Sequence, residues 1–357
     1  MRVLLAGGGS GGSAAPVLAV AEAMLRMRPH AECMYVGTGA GPEAALVRAA
    51  GLPFTPVHAG RLRRFATWRN LTDPGLALLG VAQAVGVVRR FHPDVAFGAG
   101  GFATVPPLLA ARLLKVPISI HQQDLLPGLA NRILAPFATH LTVAFPETRR
   151  SFRARAARVV GNPVRASVLR GDRDRARQRF NLLAGVPTVL VTGGGTGALR
   201  LNELAVEAAR DLVERCQIIH LTGVGKGSGD LSHPCYHQYE FLVEEMADAL
   251  AIADVVLTRA GMSALSEISA LAKPAIVVPM PDSHQEANAA VFARHGAGVV
   301  LEERELTASL LAEHVRRLLD DPARRASLAE AAARLLPADA AEAIAAGLGE
   351  IGLRPQG

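Results

Sequence analysis

The apolar positions of the chain fall into short runs that alternate with longer Ala- and Leu-rich stretches of helical period. In the first half the runs are Val3–Ala6, Met34–Val36, Val95–Ala99, Ile118–Ile120 and Leu141–Ala144, each followed by glycine or polar turn residues and then a helical segment. Continuous apolar runs bounded by turns read as strands buried on both faces, and strands alternating with helices predict a parallel sheet. The series breaks at Val159–Arg165, VVGNPVR, and an Arg- and Asp-rich stretch, Arg170–Arg179, follows. A second series then runs through Thr188–Val191, Gln217–His220, Val255–Leu257, Ala275–Val278 and Gly298–Leu301. The pattern predicts an α/β chain of two Rossmann-like, doubly wound parallel-sheet domains facing a cleft. Their expected limits are 1–161 and 162–336, with an Ala-rich helical tail, 337–357, crossing back to the first domain.

Length agrees with two cores, since 357 residues of which half are apolar exceed what one ordinary core takes up. The three cysteines, Cys33, Cys216 and Cys235, are far apart, which reads as reduced thiols rather than a disulfide framework or a metal site. The longest apolar run, Leu76–Val88, contains Gln83 and falls short of a bilayer span, and no leader pattern is expected at the start.

Charge is uneven: residues 1–160 carry 18 Lys and Arg against 7 Asp and Glu, residues 161–357 carry 20 against 25. Much of the basic excess is solvated arginine on helices. One segment differs, because Arg61, Arg63, Arg64 and Arg69 surround Phe65 and Trp68, the only Trp in the chain, and lead into the apolar helix Gly75–Val88. Arginine mixed with aromatic rings suits an anionic membrane surface as well as a surface loop over the core. With aromatics at 4% of the chain no stacking platform for nucleic acid is expected.

The chemistry begins at AGGGSGGSAAP, Ala6–Pro16, where five glycines occupy the positions from Gly7 to Gly12 after an apolar strand. Such a turn lets backbone N–H groups approach a phosphate at a helix N-terminus. Gly7, Gly9 and Gly12 fit GxGxxG, but the second strand ends in Gly37-Thr38-Gly39 without the acid that a dinucleotide fold places there, so a nicotinamide cofactor is disfavoured. The second domain opens the same way, with Gly193-Gly194-Gly195-Thr196-Gly197 between a strand and a helix from Leu199. Farther on, Met262, Ser263 and Ala264 open a helix in which Glu267 is placed to accept from sugar hydroxyls or simply to answer the helix dipole. His284, Gln285 and Asn288 follow another strand end as neutral hydrogen-bonding groups.

Taken in order, GGGSGGS, GAGGFATVPP from Gly98, HQQDLLPGLANR from His121, GNPVR from Gly161, GGGTGALRLN from Gly193, the run from Tyr239 to Glu267 and DSHQEANA from Asp282 resemble the MurG family over nearly the whole chain. That family moves N-acetylglucosamine from UDP-GlcNAc to a muramyl-pentapeptide pyrophosphoryl lipid in peptidoglycan synthesis. The resemblance implies the GT-B arrangement of two facing Rossmann-like domains, and a peripheral location at the cytoplasmic side of the cell membrane. It assigns the donor to Arg165, Gly194, Gly195, Thr196, Phe241, Leu242, Met262, Ser263, Ala264, Glu267, His284 and Gln285. It assigns the polyprenyl-diphosphate-linked acceptor to Gly9, Ser10, Gly11, Gly12, Gly100, Gly101, Phe102, Gln122 and Asn131. No cofactor and no metal are implied; Asp172-Arg173-Asp174 matches the DxD of metal-using transferases but reads as a solvated helix face.

The chain departs from that pattern inside the site. Ser13 stands where the family has His, Gln122 and Asp124 replace Glu and Asn in its HEQN, and Gly195 and Thr196 replace Ser and Gln in the second loop. Inversion at the anomeric carbon needs a base near the acceptor hydroxyl, which a neutral Ser13 or Gln122 does not provide. The catalytic candidates are therefore Asp124, His121 and, by position, Ser13. Three readings follow: a lipid II-forming transferase, a UDP-sugar transferase with another lipid acceptor, and a non-catalytic nucleotide-sugar-binding relative.

Overall fold

The structure, a computed structural model, describes residues 1–8, 11–39, 43–60, 69–152, 156–195, 197–227 and 231–353. The chain divides into two compact units, Met1–Arg165 with Asp339–Gly357, and Ala166–Ala338. Residues 162–165, expected to open the second domain, thus fall with the first. The local reason is that Asn162 is hydrogen-bonded to His121 of the first unit.

The first unit holds β1 (Arg2–Ala6), α1 (Gly11–Met27), β2 (Glu32–Gly37), α2 (Glu43–Ala49), β3 (Phe54–Pro56), α3 (Arg69–Phe91), β4 (Val95–Gly98), α4 (Val105–Leu113), β5 (Ile118–Gln122), α5 (Leu129–Leu134), β6 (His140–Val143) and β7 (Arg158–Val159). Its strands form one parallel sheet in the order β3-β2-β1-β4-β5-β6-β7. The second unit holds α6 (Arg173–Arg179), β8 (Thr188–Thr192), α7 (Leu199–Leu212), β9 (Gln217–Leu221), β10 (Tyr236–Tyr239), α8 (Met246–Ile252), β11 (Val255–Thr258), α9 (Met262–Ala270), β12 (Ala275–Val277), α10 (His284–Arg294), β13 (Val299–Val300), α11 (Ala308–Asp320) and α12 (Pro322–Leu335). Its parallel sheet runs β10-β9-β8-β11-β12-β13. Each sheet reverses its winding once, between β1 and β4 and between β8 and β11. Open α/β sheets place ligands beyond the strand C-termini at such a point.

The strands are buried because both faces of each sheet are covered. On one face of the first sheet Val3, Leu5, Tyr35 and Phe97 pack with Val17, Val20 and Met24 of α1; on the other, Leu4, Ile118 and Ile120 pack with Ala84 and Val88 of α3 and Leu108 of α4. A final helix, α13 (Ala340–Gly352), returns to the first unit and adds Ile344, Ala345 and Leu348 to the α1 side. Gly347 makes this approach possible, since a Cβ there would stand 2.8 Å from the His140 ring. In the second unit Leu201, Ala205 and Leu212 of α7 and Leu311 and Val315 of α11 cover Val189, Ile218 and Leu257.

Candidate functional site

At the first switch point the turn after β1 is packed to backbone density. Gly8 has φ +137°, and a Cβ on it would lie 2.2 Å from the Glu43 carboxyl; a Cβ on Gly7 would lie 2.5 Å from the Tyr35 hydroxyl. The neighbouring turn after β4 closes on it: Gly100 and Gly101 have φ +86° and +84°, and a Cβ at Gly101 would meet the Gly8 carbonyl at 2.3 Å. Thr104 fixes that turn by donating to the Gly100 carbonyl at 2.5 Å. Only glycine gives both turns their positive φ and close approach without strain. Gly9 and Ser10 lie outside the described residues; Gly11 and Gly12 open α1, and Phe102 follows the β4 turn.

The three catalytic candidates have different surroundings. Ser13 is buried in the first turn of α1 and donates to the Gly8 carbonyl at 3.2 Å, so it fastens the loop, and its hydroxyl is no base. His121 is fully buried with both nitrogens engaged, Nε2 with Asn162 Oδ1 and Nδ1 with the Thr142 hydroxyl, each at 3.0 Å. Asn162 Oδ1 only accepts, so Nε2 carries the proton and Nδ1 accepts. Burial pulls the imidazole down to about 4, the Asn162 hydrogen bond opposing this weakly. His121 is thus a structural residue, contrary to its place among the candidate bases. Asp124 is half-buried in the loop after β5. Gln122 shapes that loop from beneath, its Nε2 donating to the carbonyls of Asp124 at 2.9 Å and Leu126 at 3.2 Å. Asn131 Nδ2 in turn donates to Gln122 Oε1 at 2.7 Å and to the His121 carbonyl at 2.9 Å. Among the described residues its buried Oδ1 has no hydrogen-bond partner, and a Cβ on Gly100 would stand 3.8 Å from it. Gln122 and Asn131 therefore position the Asp124 loop.

The second unit repeats the design at β8. Gly194 and Gly197 have φ +81° and +68°, and the Gly197 N–H donates to the Gly194 carbonyl at 2.9 Å. A Cβ at Gly197 would strike the Thr222 carbonyl at 2.2 Å, whereas Gly194 and Gly195 are exposed, with none of the described residues within 4 Å of a Cβ. Thr196 lies outside the described residues. Below the loop, Asn202 donates to the carbonyls of Thr222 at 2.8 Å and Lys226 at 3.0 Å, and its Oδ1 meets His220 Nε2 at 3.2 Å. His220 Nδ1 meets the Tyr236 hydroxyl at 2.6 Å, and burial takes this imidazole, too, down to about 4. Lys226 was missed in the sequence: its Nζ donates to the Gly197 carbonyl at 3.4 Å, which puts a cation on the glycine loop. The available signal was a lysine in an Arg-rich chain, inside a second glycine-rich segment, GVGKGSG.

Across the second switch point β11 leads into α9. The N-cap, Gly261, has no side chain to cap the helix, so the end keeps its partial positive charge. Met262 is buried; Ser263, Ala264 and Glu267 are half-buried along the first turns. Arg259, which the sequence reading passed over, holds this corner: Nη1 donates to the carbonyls of Val278 at 3.3 Å and Pro279 at 3.2 Å, and Nη2 pairs with Glu303. It thereby ties the end of β11 to the loop after β12. In α10, which follows that loop, Gln285 Oε1 accepts from the Met280 N–H at 3.1 Å, Asn288 donates to the Ala260 carbonyl at 3.2 Å, and His284 is exposed. Phe241 is exposed and Leu242 half-buried beyond β10, where Glu240 anchors the turn through Gly225 at 2.8 Å. Arg165 closes the first unit, half-buried, its buried Nε without a hydrogen-bond partner among the described residues. Asp172, of the DxD match, is instead the N-cap of α6, accepting from the Arg175 N–H at 2.6 Å, and Asp174 pairs with Arg177 at 2.6 Å.

Two glycine loops, each at a switch point and each closed by a neighbouring turn, match known proteins over both units. Residues 3–143 match the glycosyltransferase family 28 N-terminal domain and 188–344 the family 28 C-terminal domain. The UDP-N-acetylglucosamine–N-acetylmuramyl-(pentapeptide) pyrophosphoryl-undecaprenol N-acetylglucosamine transferase of Lachnospira eligens is 34% identical, covering 90% of this chain and 91% of that protein. The protein of the same name from Geobacter sulfurreducens is 36% identical, over 96% and 97%. The chain belongs to the MurG family. A crystal structure of Acinetobacter baumannii MurG, 24% identical, superposes with a TM-score of 0.73 over 98% of this chain and 99% of that one. That likeness confirms the GT-B fold expected for a MurG relative. No helix of the described residues is long and apolar enough to cross a membrane.

Proposed function

We propose that the protein transfers N-acetylglucosamine from UDP-GlcNAc to a muramyl-pentapeptide carried on a polyprenyl diphosphate, converting lipid I to lipid II with inversion at the anomeric carbon. The observation that carries this reading is identity at 34% across nine-tenths of the chain with transferases of that name. The paired glycine loops support it, because a nucleotide diphosphate and a lipid diphosphate each call for a cradle of backbone N–H groups.

In this mechanism the β8 loop and Lys226 take the donor diphosphate, Glu267 accepts from the ribose hydroxyls, the backbone at Phe241 and Leu242 meets uracil, and Gln285 with His284 meets the sugar. Arg165 adds charge for the departing UDP. The β1 and β4 turns hold the acceptor diphosphate. Asp124 removes the proton from the acceptor hydroxyl as it attacks the anomeric carbon, and the bond to the UDP oxygen breaks on the opposite face. Charge on that oxygen is met by loop N–H groups, the α9 N-terminus and the basic side chains, with no metal or cofactor called upon. The protein acts from the cytoplasmic face of the cell membrane as a peripheral enzyme, through Arg61–Trp68, which lie outside the described residues, and the Gly75–Val88 part of α3, where Leu76, Leu78 and Leu79 are exposed.

The test is release of UDP from UDP-GlcNAc with a short-chain lipid I analogue, compared with other polyprenyl-diphosphate acceptors. Turnover only on a different acceptor shifts the assignment to a related transferase, a reading favoured by Ser13 and Gln122 being built into the loops. Binding of UDP-GlcNAc with no turnover on any acceptor leaves a binding protein. An Asp124→Asn variant should lose about 100-fold or more in kcat, the size of a general-base contribution. Unchanged turnover removes Asp124 from the mechanism.

A further inference from the structure

The loop that leaves β5 is held by side chains through its carbonyls. Those of Asp124, Leu125 and Leu126, three in a row, accept from Gln122 Nε2 at 2.9 Å, the Thr148 hydroxyl at 3.0 Å and Gln122 Nε2 again at 3.2 Å. Gln123 Nε2 fastens the same loop to the β4 turn by donating to the Ala99 carbonyl at 3.3 Å. Gln122 and Asn131 are both buried. The two protons of Gln122 Nε2 go to the loop, so its Oε1 faces Asn131 Nδ2, which gives its other proton to the His121 carbonyl. Turning either amide over sets oxygen against oxygen, so the direction of this chain of hydrogen bonds is fixed.

A carboxylate at position 122 does not fit this arrangement. It has no proton for the Asp124 and Leu126 carbonyls when ionised and only one when neutral, so a buried carbonyl loses its donor in either state. When ionised it also stands two positions from the acid of Asp124, and like charges that close oppose each other. The chain avoids both costs by exchange. Against the HEQN of the MurG pattern it has the amide at 122 and the acid at 124, one carboxylate in either case. We propose that positions 122 and 124 form a coupled pair that holds a single carboxylate, with Gln122 the positioning residue that directs it to 124. The inference rests on the reading of Asp124 as the base and adds why the acid is there: the loop geometry that presents Asp124 exists only while position 122 is an amide.

The experiment is a double-mutant cycle on the full chain, Gln122→Glu, Asp124→Asn and both together, reading kcat on the short-chain lipid I analogue, Tm, and UDP affinity by calorimetry. Gln122→Glu is expected to lower Tm and to lose about 100-fold in kcat, the cost of a base displaced by about an ångström, with UDP still bound. Because Gln122 acts through Asp124, adding Asp124→Asn should then cost less than about threefold in kcat, or restore turnover. It should also raise Tm, since one of two neighbouring carboxylates is gone. A Gln122→Met variant lowers Tm through the same lost donors, and Asp124→Asn on that background gives no such rise. Losses that multiply in the double variant overturn the proposal, as does a Gln122→Glu chain with wild-type kcat and Tm. An equal rise in Tm on the Met background also overturns it, since Asp124 is then strained by itself. Should Gln122→Glu fail to fold, the double variant must fold for the proposal to stand. Failure of the transferase reading is distinct: no acceptor turns over even with the wild type, while the coupling is still read in Tm.

Discussion

His121 Nε2 donates to Asn162 Oδ1 at 3.0 Å, and in the other unit His220 Nε2 meets Asn202 Oδ1 at 3.2 Å, so each sheet carries, at the next-to-last position of an inner strand, an imidazole between an amide oxygen and a hydroxyl. Burial places both at about 4 in the folded chain, below the unfolded value of about 6.5. The unfolded chain therefore binds more protons across that window. Stability is full above about pH 7 and falls as pH drops from about 6.5 to about 4, by on the order of 3 kcal/mol for each unit. Urea denaturation at pH 7.5 and pH 5 should show both units weakened at the lower pH. Equal midpoints would mean that neither imidazole is held neutral.

Arg259 and Glu303 form the enclosed ion pair at the β11–β12 corner, with only 9% and 13% of their side-chain surfaces exposed. Removing one partner strands the other, at a cost of about 3–5 kcal/mol. A Glu303→Gln variant should therefore lower the Tm of the second unit. Because Arg259 also holds the Val278 and Pro279 carbonyls, it should raise KM for the sugar nucleotide more than it lowers kcat. A variant with wild-type Tm and KM would show that the corner is held without this pair.

Most of this architecture is legible in the sequence. All ten apolar runs coincide with or overlap a strand, because strands covered on both faces are uninterrupted and are bounded by glycine, proline or polar residues. The strands that were not legible are β3, FTP, β7, RV, and β10, YHQY: two are too short and one is too polar to give an apolar run, and all three lie at sheet edges. The glycine loops stood out by composition. Arg259 and Asp248 did not, since a charged residue that will be buried looks like any surface charge until its partner arrives from elsewhere in the chain. Asp248 draws Arg175 at 2.5 Å and Arg179 at 3.2 Å from α6, more than sixty positions earlier, and those hydrogen bonds hold its carboxyl below the usual range.

Lys226 offers a check on the second glycine loop. Its ammonium reaches the Gly197 carbonyl, beside the turn proposed for the donor diphosphate. Lys226→Met keeps the length of the stem and removes the charge. The expected result is about a tenfold rise in KM for UDP-GlcNAc, the scale of one charge-assisted hydrogen bond, with a wild-type Tm. An unchanged KM would place the diphosphate away from this loop.

Gly195 provides the sharpest discrimination between a glycine kept for folding and one facing a ligand. Gly197→Ala is expected to unfold the loop, because its φ is +68° and the new methyl would lie 2.2 Å from the Thr222 carbonyl. At Gly195 a Cβ meets none of the described residues within 4 Å, so a serine enters without strain. In the MurG pattern serine stands at this position, and a hydroxyl there adds a donor to the cradle. Gly195→Ser should therefore leave Tm unchanged and lower KM for UDP-GlcNAc by about three- to tenfold, as a net hydrogen bond of about 1 kcal/mol implies. A serine that leaves both quantities unchanged would show that the exposed half of the loop does not touch the nucleotide, and the β8 turn would then serve only to join strand to helix.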